Sequence, residues 1–256
     1  MKPKENLLIS LIIAAVIVTS INTGFDPVKF VQGAPNIAVL ISEMAQLDSR
    51  LLSVAFWSML ETLQMAFLGT VIGAAISIPL SLLAARNLNS KFVYAPVRAM
   101  LAGIRTFPSI LWALFFIIVV GLGPFAGILA IIMYTIGFMS KLQYESIEAI
   151  DPDPVEVVGA IGASKTQLVR YVVLPESAPH LLSQLLYMFE YNVRQTSILG
   201  IVGAGGIGFY IIEYIKFFQY GKAMVFMLVV LATVLIIDWI SMKIRDRYIV
   251  QRQSGK

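Results

Sequence analysis

Apolar residues fall into six runs along the chain, divided by breaks rich in Gly, Pro and charge. The first, Leu7 to about Ile21, follows Lys2 and Lys4. No A-x-A cleavage signal comes after it, so it reads as an uncleaved transmembrane helix rather than a secretory leader. It is a little short for a hydrocarbon core of about 30 Å, which predicts an upright helix or local thinning of the bilayer. Asn22 to Leu52 is predicted to lie outside the membrane. There Pro35 is placed to open a helix, with Ile37, Leu40, Ile41, Met44, Leu47 and Leu51 on one stripe and Glu43 and Arg50 off it. That is the pattern of an amphipathic helix lying on the outer face or packed on the rest of the protein.

The second span, Ala55 to about Ala84, has no charge between Leu63 and Leu83. It carries Gly69-x-x-x-Gly73 followed by Ala74, Ala75 and Ser77, small residues that let neighbouring helices approach closely. Val93 to Val120 is long for one span, and Pro108 predicts a kink in it. Arg98 is placed at the cytoplasmic interface and Arg105 in the inner leaflet or facing a cavity. Gly121-Leu-Gly-Pro124 makes a tight outer turn, and the fourth span runs from about Phe125 to Ser140. A polar block reaches to Pro179, in which Asp151-Pro-Asp-Pro154 breaks the preceding helix. The fifth span, His180 to Val202, contains Glu190, Asn192, Arg194 and Gln195. The sixth, Ala223 to about Met242, has one charge, Asp238, and a basic tail with Lys243, Arg245, Arg247, Arg252 and Lys256 follows. With both termini in the cytoplasm, most Lys and Arg fall inside, leaving Lys29, Arg50, Lys216 and Lys222 outside, as the positive-inside rule expects.

Composition agrees with a membrane protein. Hydrophobic residues are 58%, charged residues 13% and mean hydropathy is +0.83, against about 25% charged in a soluble domain. With no cysteine and a single histidine, His180, the chain can form neither disulfides nor thiolate metal sites, and a His-based metal centre or catalytic triad is not expected. The net charge of +4 is better read through its distribution over loops than as a nucleic-acid signal. Gly203, Gly205 and Gly208 satisfy G-x-G-x-x-G, but no strand precedes them and they close a membrane span, which excludes a dinucleotide fold. Gly162-Ala-Ser-Lys-Thr166 lacks phosphate-loop spacing, so the chain is not expected to bind ATP itself.

The polar group in the fifth span is the sharpest internal feature, because charge in a bilayer is costly and faces the bundle interior. Glu190 and Arg194 are four apart and can pair as a structural ion pair. Alternatively Arg194, with Arg105, favours an anion in a pathway, with Asn192 and Gln195 as neutral hydrogen-bond partners. An arginine fork suits phosphonate or phosphate oxygens.

Glu156 to Pro175 places an acid, a glycine six residues on (Gly162), Val172 ten beyond that, then Leu174-Pro175. Gly162 permits a turn with φ > 0 or a close backbone approach. Pro175 is expected to end one element before the next begins. Val157, Val158, Ile161 and Leu168 recur at roughly helical spacing, a stripe able to fill a partner's groove. The segment resembles the EAA loop of ABC importer permeases, departing only in Val157, Val158 and Val172. Arg194 to Gly208, Val120 to Gly127 and Ser146 to Ile150 are similar to the phosphonate importer permeases. That likeness runs from about Thr62 to Tyr248. The Gly-rich segment is also similar to methionine-type permeases, and phosphite permeases form the same close group.

The resemblance implies an all-α integral membrane protein, six transmembrane helices in a type I ABC importer permease bundle. Residues 1–53 would hold the first span and the external segment, 54–248 the transmembrane domain with a cytoplasmic coupling loop at 145–178, and 249–256 the basic tail. Glu156, Val157, Val158, Gly159, Gly162, Ala163, Ser164, Leu174 and Pro175 would dock on an ATPase; Arg105, Glu190, Asn192, Arg194 and Gln195 are the candidate path. It further implies a homodimer in a bacterial inner membrane with two ATP-binding subunits, which carry ATP and Mg, and a periplasmic or lipid-anchored phosphonate-binding protein. No catalytic residue is expected in this chain. An intramembrane hydrolase would need a nucleophile beside a base. A secondary transporter would show repeats and coupling-ion acids at mid-membrane, and neither pattern is present. Within the importer class, methionine or phosphate is the alternative substrate.

Overall fold

The computed structural model describes residues 3–160 and 162–247; Ile161 and the tail from Tyr248, with Arg252 and Lys256, lie outside the described residues. Among those described, every regular element is helical. The chain divides into two compact units, Met1–Gln46 and Leu47–Lys256.

The first unit holds α1 (Pro3–Thr23) and α2 (Pro27–Met44), bent by 57° where they meet. Pro35 does not open α2 as the sequence suggested. Asp26 does: its carboxylate accepts the Val28 amide at 2.9 Å and the Lys29 amide at 3.4 Å, and Pro27 occupies the first turn. A capping carboxylate followed by proline is a complete start signal, so Pro35 is left inside the helix. The helix ends before Leu47 and Leu51, which therefore leave the predicted stripe.

The second unit is organised on α3 (Leu52–Ala84). The predicted third span, Val93 to Val120, is two helices. α4 (Lys91–Thr106) and α5 (Ser109–Val120) are bent by 86° rather than kinked. Phe107, preceding Pro108, is extended, because the proline ring disfavours helix at the residue before it. α5 has 12 residues and, at a rise of about 1.5 Å each, is too short to cross a bilayer alone. The Trp112 indole N–H closes the corner on the Ile104 carbonyl at 3.3 Å.

α6 (Pro124–Glu148) runs eight residues past the predicted end at Ser140. It packs along α3 over small residues. A Cβ on Gly69 would lie 2.3 Å from Ile131 Cγ2, and one on Gly73 2.6 Å from Thr135 Cβ. At its far end the Glu148 carboxylate takes the Arg98 guanidinium and also accepts the Arg86 amide at 2.6 Å. Arg98 Nε donates to the Ala84 carbonyl at 2.8 Å, and its guanidinium lies 4.2 Å from the Tyr144 ring centre. One arginine thus ties the ends of α3 and α6 to α4.

α7 (Pro152–Ala160) and α8 (Lys165–Leu168) follow, then a π-turn, Val169–Val173, and α9 (Leu174–Leu199). The expectation that Pro175 separates two elements is wrong. Lys165 to Val202 is one helical run. The π-turn widens the helix just before the proline, and Leu174 bonds back five residues to Val169. This removes the clash that a proline ring meets in a regular helix. The fifth span therefore begins well before His180.

A short turn, Gly200–Val202, leads to α10 (Ile207–Lys216) and α11 (Tyr220–Arg245). The Gly-rich segment is a packing corner: a Cβ on Gly208 would sit 1.8 Å from the Ser197 carbonyl oxygen. The Ile207 amide donates to Thr62 Oγ1 at 2.9 Å, pinning α10 to α3. Phe226, Val193, Ile207, Met59 and Ala66 form the core where α3, α9, α10 and α11 meet. Outward faces carry large apolar residues such as Ile118, which is 84% exposed, as a lipid-facing surface requires. Three single helices and three bent pairs are long and apolar enough to cross a membrane, up to six crossings.

Gly73→Ala is expected to cost about 1–3 kcal/mol through overpacking against Thr135. Gly103→Ala, on α4 with nothing within 4 Å, should be neutral or gain up to about 1 kcal/mol from helix propensity. Thermal unfolding of the two variants in detergent checks both signs.

Candidate functional site

The segment predicted to dock on an ATPase is a helix, a turn and a second helix. Asp151 starts α7 by accepting the Asp153 amide at 3.1 Å. Glu156, Val157, Val158 and Gly159 all fall on α7; the Glu156 side chain and the surroundings of Gly159 lie outside the described residues. Val157 is 64% exposed, an apolar knob that the described residues leave largely uncovered. Gly162 turns the backbone at φ +84, with open space where a Cβ would stand, so of its two predicted roles the turn is the one used. Ala163 is half-buried. Ser164 and Gln167 form a reciprocal capping box on α8. Leu168 does not join the exposed stripe: it packs against Ala85, Ile147 and Val173 under the loop. Leu174 and Pro175 lead directly into α9.

The predicted path residues do not converge. Each α9 side chain is committed to a different neighbour. The Glu190 side chain is 8% exposed and pairs with Arg245 from the last turn of α11. Arg194 lies 3.9 Å from Glu190 but 3.2 Å from Asp238, and its side chain is 51% exposed. The expected Glu190–Arg194 pair is thus the weakest contact of a four-charge group. Sequence reasoning considered i, i+4 neighbours and missed Arg245, 55 positions on and assigned to the tail. The signal for it was the matching of one acid in each of spans five and six to two arginines.

Asn192 is fully buried. Its Nδ2 donates to Thr70 Oγ1 at 2.8 Å and to Thr135 Oγ1 at 2.9 Å. Those threonines lie near the middle of α3 and α6, so one amide ties the three central helices together. Such bonds have no water to compete with in an apolar surround. Gln195 Nε2 donates to Ser109 Oγ at the start of α5. Arg105, in the last turn of α4, is half-buried. Among the described residues no carboxylate pairs with it.

Removing one partner of a buried pair strands the other, at a cost of about 3–5 kcal/mol. Arg245→Ala, which strands the Glu190 carboxylate at 8% exposure, is therefore expected to lower stability by that order, whereas Arg194→Ala, at an exposed pair, should cost no more than about 1 kcal/mol. Unfolding midpoints of the two variants in the same detergent test the ranking.

Residues 77–253 match the family described as binding-protein-dependent transport system inner membrane component. A phosphite transport system permease protein of Stutzerimonas stutzeri is 32% identical over 87% of this chain and 82% of its own length. A second protein of that organism, a candidate phosphite transport permease, is 36% identical over 89% of this chain and 81% of its own. A phosphate-import permease protein of Mycolicibacterium smegmatis is 38% identical over 76% of this chain, a match spanning 37% of that longer protein. In fold, the chain is similar to a methionine ABC transporter in an inward-facing conformation, with a TM-score of 0.72 at 22% identity over 78% of this chain and 99% of the other. Helices of type I permease architecture, long and apolar enough to cross a membrane, and these relatives lead to one conclusion: the chain belongs to the family of inner-membrane components of binding-protein-dependent ABC importers.

Proposed function

We propose that this chain is the permease subunit of an importer for phosphonates or closely related phosphorus oxyanions such as phosphite. The observation that carries the substrate class is the phosphite and phosphate transport described for relatives matched over most of the chain. The site chemistry agrees: Arg105 is a cation without a carboxylate partner among the described residues, and oxyanions are favoured by such a group.

In this reading two copies form the pore, with both termini in the cytoplasm. Two separate ATP-binding subunits hold ATP and Mg and grip α7 and the Gly162 turn, with Val157 entering a groove on the ATPase. A binding protein delivers substrate from outside. ATP closes the ATPase pair and moves the coupling segments; the continuous run from Lys165 into α9 carries that displacement to the path. Hydrolysis resets the inward-facing state, an alternating-access cycle between two conformations.

The test is ATPase activity of the complex reconstituted with its ATPase and binding protein, with methylphosphonate, phosphite, phosphate or methionine presented on the binding protein. Stimulation by phosphonate or phosphite is expected. Stimulation by methionine alone would overturn the substrate class, and failure to assemble with any ATPase would overturn the docking role of residues 156–164. In the same assay Gly162→Val should reduce stimulation several-fold. A side chain at φ +84 costs about 1–2 kcal/mol and reshapes the turn, while no neighbour stands close enough to disturb the bundle.

A further inference from the structure

A row of phenols lies at mid-depth on a face that this chain leaves partly open. On α9, Tyr187, Tyr191 and Gln195 recur every four residues and share one side of the helix. Tyr191 stacks on Tyr134 of α6, with ring centres 5.3 Å apart and planes 12° from parallel. Tyr187 tilts against Tyr191 at 6.4 Å. Gln195 continues the row to Ser109. Arg105 arrives from α4: its backbone nitrogen lies 3.2 Å from where a Cβ on Gly137 would be, one turn along α6 from Tyr134. Tyr134, Tyr191, Gln195 and Arg105 are half-buried, and Tyr187 is 46% exposed.

The depth of this row is set by its chain neighbours. Tyr134 and Tyr191 adjoin Thr135 and Asn192, which are hydrogen-bonded to each other near the centre of the bundle. Tyrosine facing lipid belongs at the membrane interfaces, where its hydroxyl meets water and headgroups. The Tyr134 and Tyr191 phenols have each other as hydrogen-bond partners, but at the middle of the hydrocarbon the exposed Tyr187 hydroxyl would be stranded. Nor does a carboxylate enter the row, since Glu190 is turned to Arg245 and Asp238 to Arg194.

We propose that Tyr134, Tyr187, Tyr191 and Gln195, with Arg105 as the fixed cation, line a water-filled path and hand an oxyanion along it. This rests on the importer reading above and adds its lining. Neutral phenol and amide donors solvate an anion without binding it tightly, so that it can leave when the path opens inward.

The chain has no cysteine, so single reporters can be introduced without removing any. In the complete complex in proteoliposomes, Tyr187→Cys and Tyr191→Cys are expected to react with a charged, water-soluble sulfonatoethyl methanethiosulfonate at least about tenfold faster than Ile118→Cys, placed on a lipid-facing surface where thiolate formation is suppressed. Saturating methylphosphonate on the binding protein should slow the labelling. Tyr191→Phe should raise the transport KM about tenfold, the loss of one hydrogen bond to a charged group. Labelling by lipid-soluble N-ethylmaleimide but not by the sulfonate reagent would place the row against lipid and overturn the proposal. So would failure of both reagents in every nucleotide state, which would mean that another protein surface seals the face. Substrate-stimulated ATPase in the unsubstituted complex is read separately, so loss of this lining leaves the importer reading standing.

Discussion

Helix α3 can reach α6 only because positions 69 and 73 have no side chain, and most of the remaining geometry follows from that approach. Side chains there would collide with Ile131 and Thr135. Without them, Thr70 and Thr135 come close enough to share a single amide, that of Asn192. An amide that must bond both threonines fixes the rotation of α9 about its axis. Once Asn192 points to α3 and α6, the helical step sends Glu190 toward α11 and Gln195 toward α5. It also leaves Tyr187 on the open side. In lipid this choice is enforced more strongly than in water, because a misrotated α9 would leave a buried amide and a buried carboxylate without partners.

The same rotation settles which charges remain available. Glu190, Asp238, Arg194 and Arg245 form a group of two acids and two bases whose formal charges cancel. Such a group joins α9 to α11 and offers little net field to a passing ion. Arg105 stands apart from it, on the last turn of α4 beside the 86° corner. The corner falls where the Pro108 ring disfavours helix at Phe107, which is extended. A proline therefore determines where a cation sits, although the two residues do not touch in any way the sequence would reveal.

Much of the architecture was readable because the signals were local and strong. Apolar runs of span length located α3 and α11, and Gly69-x-x-x-Gly73 named the close face of α3. The Gly162 turn was legible as a glycine at a required bend. What was not legible depended on distant partners or on competition between local signals. Asp26 out-competed Pro35 for the start of α2, since a cap and an N1 proline together outweigh a proline alone. α6 outran Ser140 because Glu148 is held by Arg98 and the Arg86 amide, contacts more than 40 residues apart in sequence. Arg245 was hidden from a reading based on i, i+4 neighbours. Leu168 looked like docking surface until Ala85 and Ile147 were seen to cover it.

Pro175 makes a final mechanical point. A proline that divided two helices would leave a hinge between the coupling segment and the membrane path, and displacement at the docking turn could be absorbed there. The π-turn at Val169–Val173 instead absorbs the proline within one helical run. The helical run from Lys165 to Val202 is thus unbroken, with one widened turn at Val169–Val173. The joint that remains is at the other end of the loop, between α6 and α7, where Ala149 ends one helix and Asp151 caps the next. There the Arg98–Glu148 pair holds the α6 side to α3 and α4. One end of the proposed coupling loop is thus tied to α3 and α4 and the other continues into α9. In the proposed cycle, a push on the loop would move α9 relative to α3 and α6, across the interface that the Asn192 amide spans.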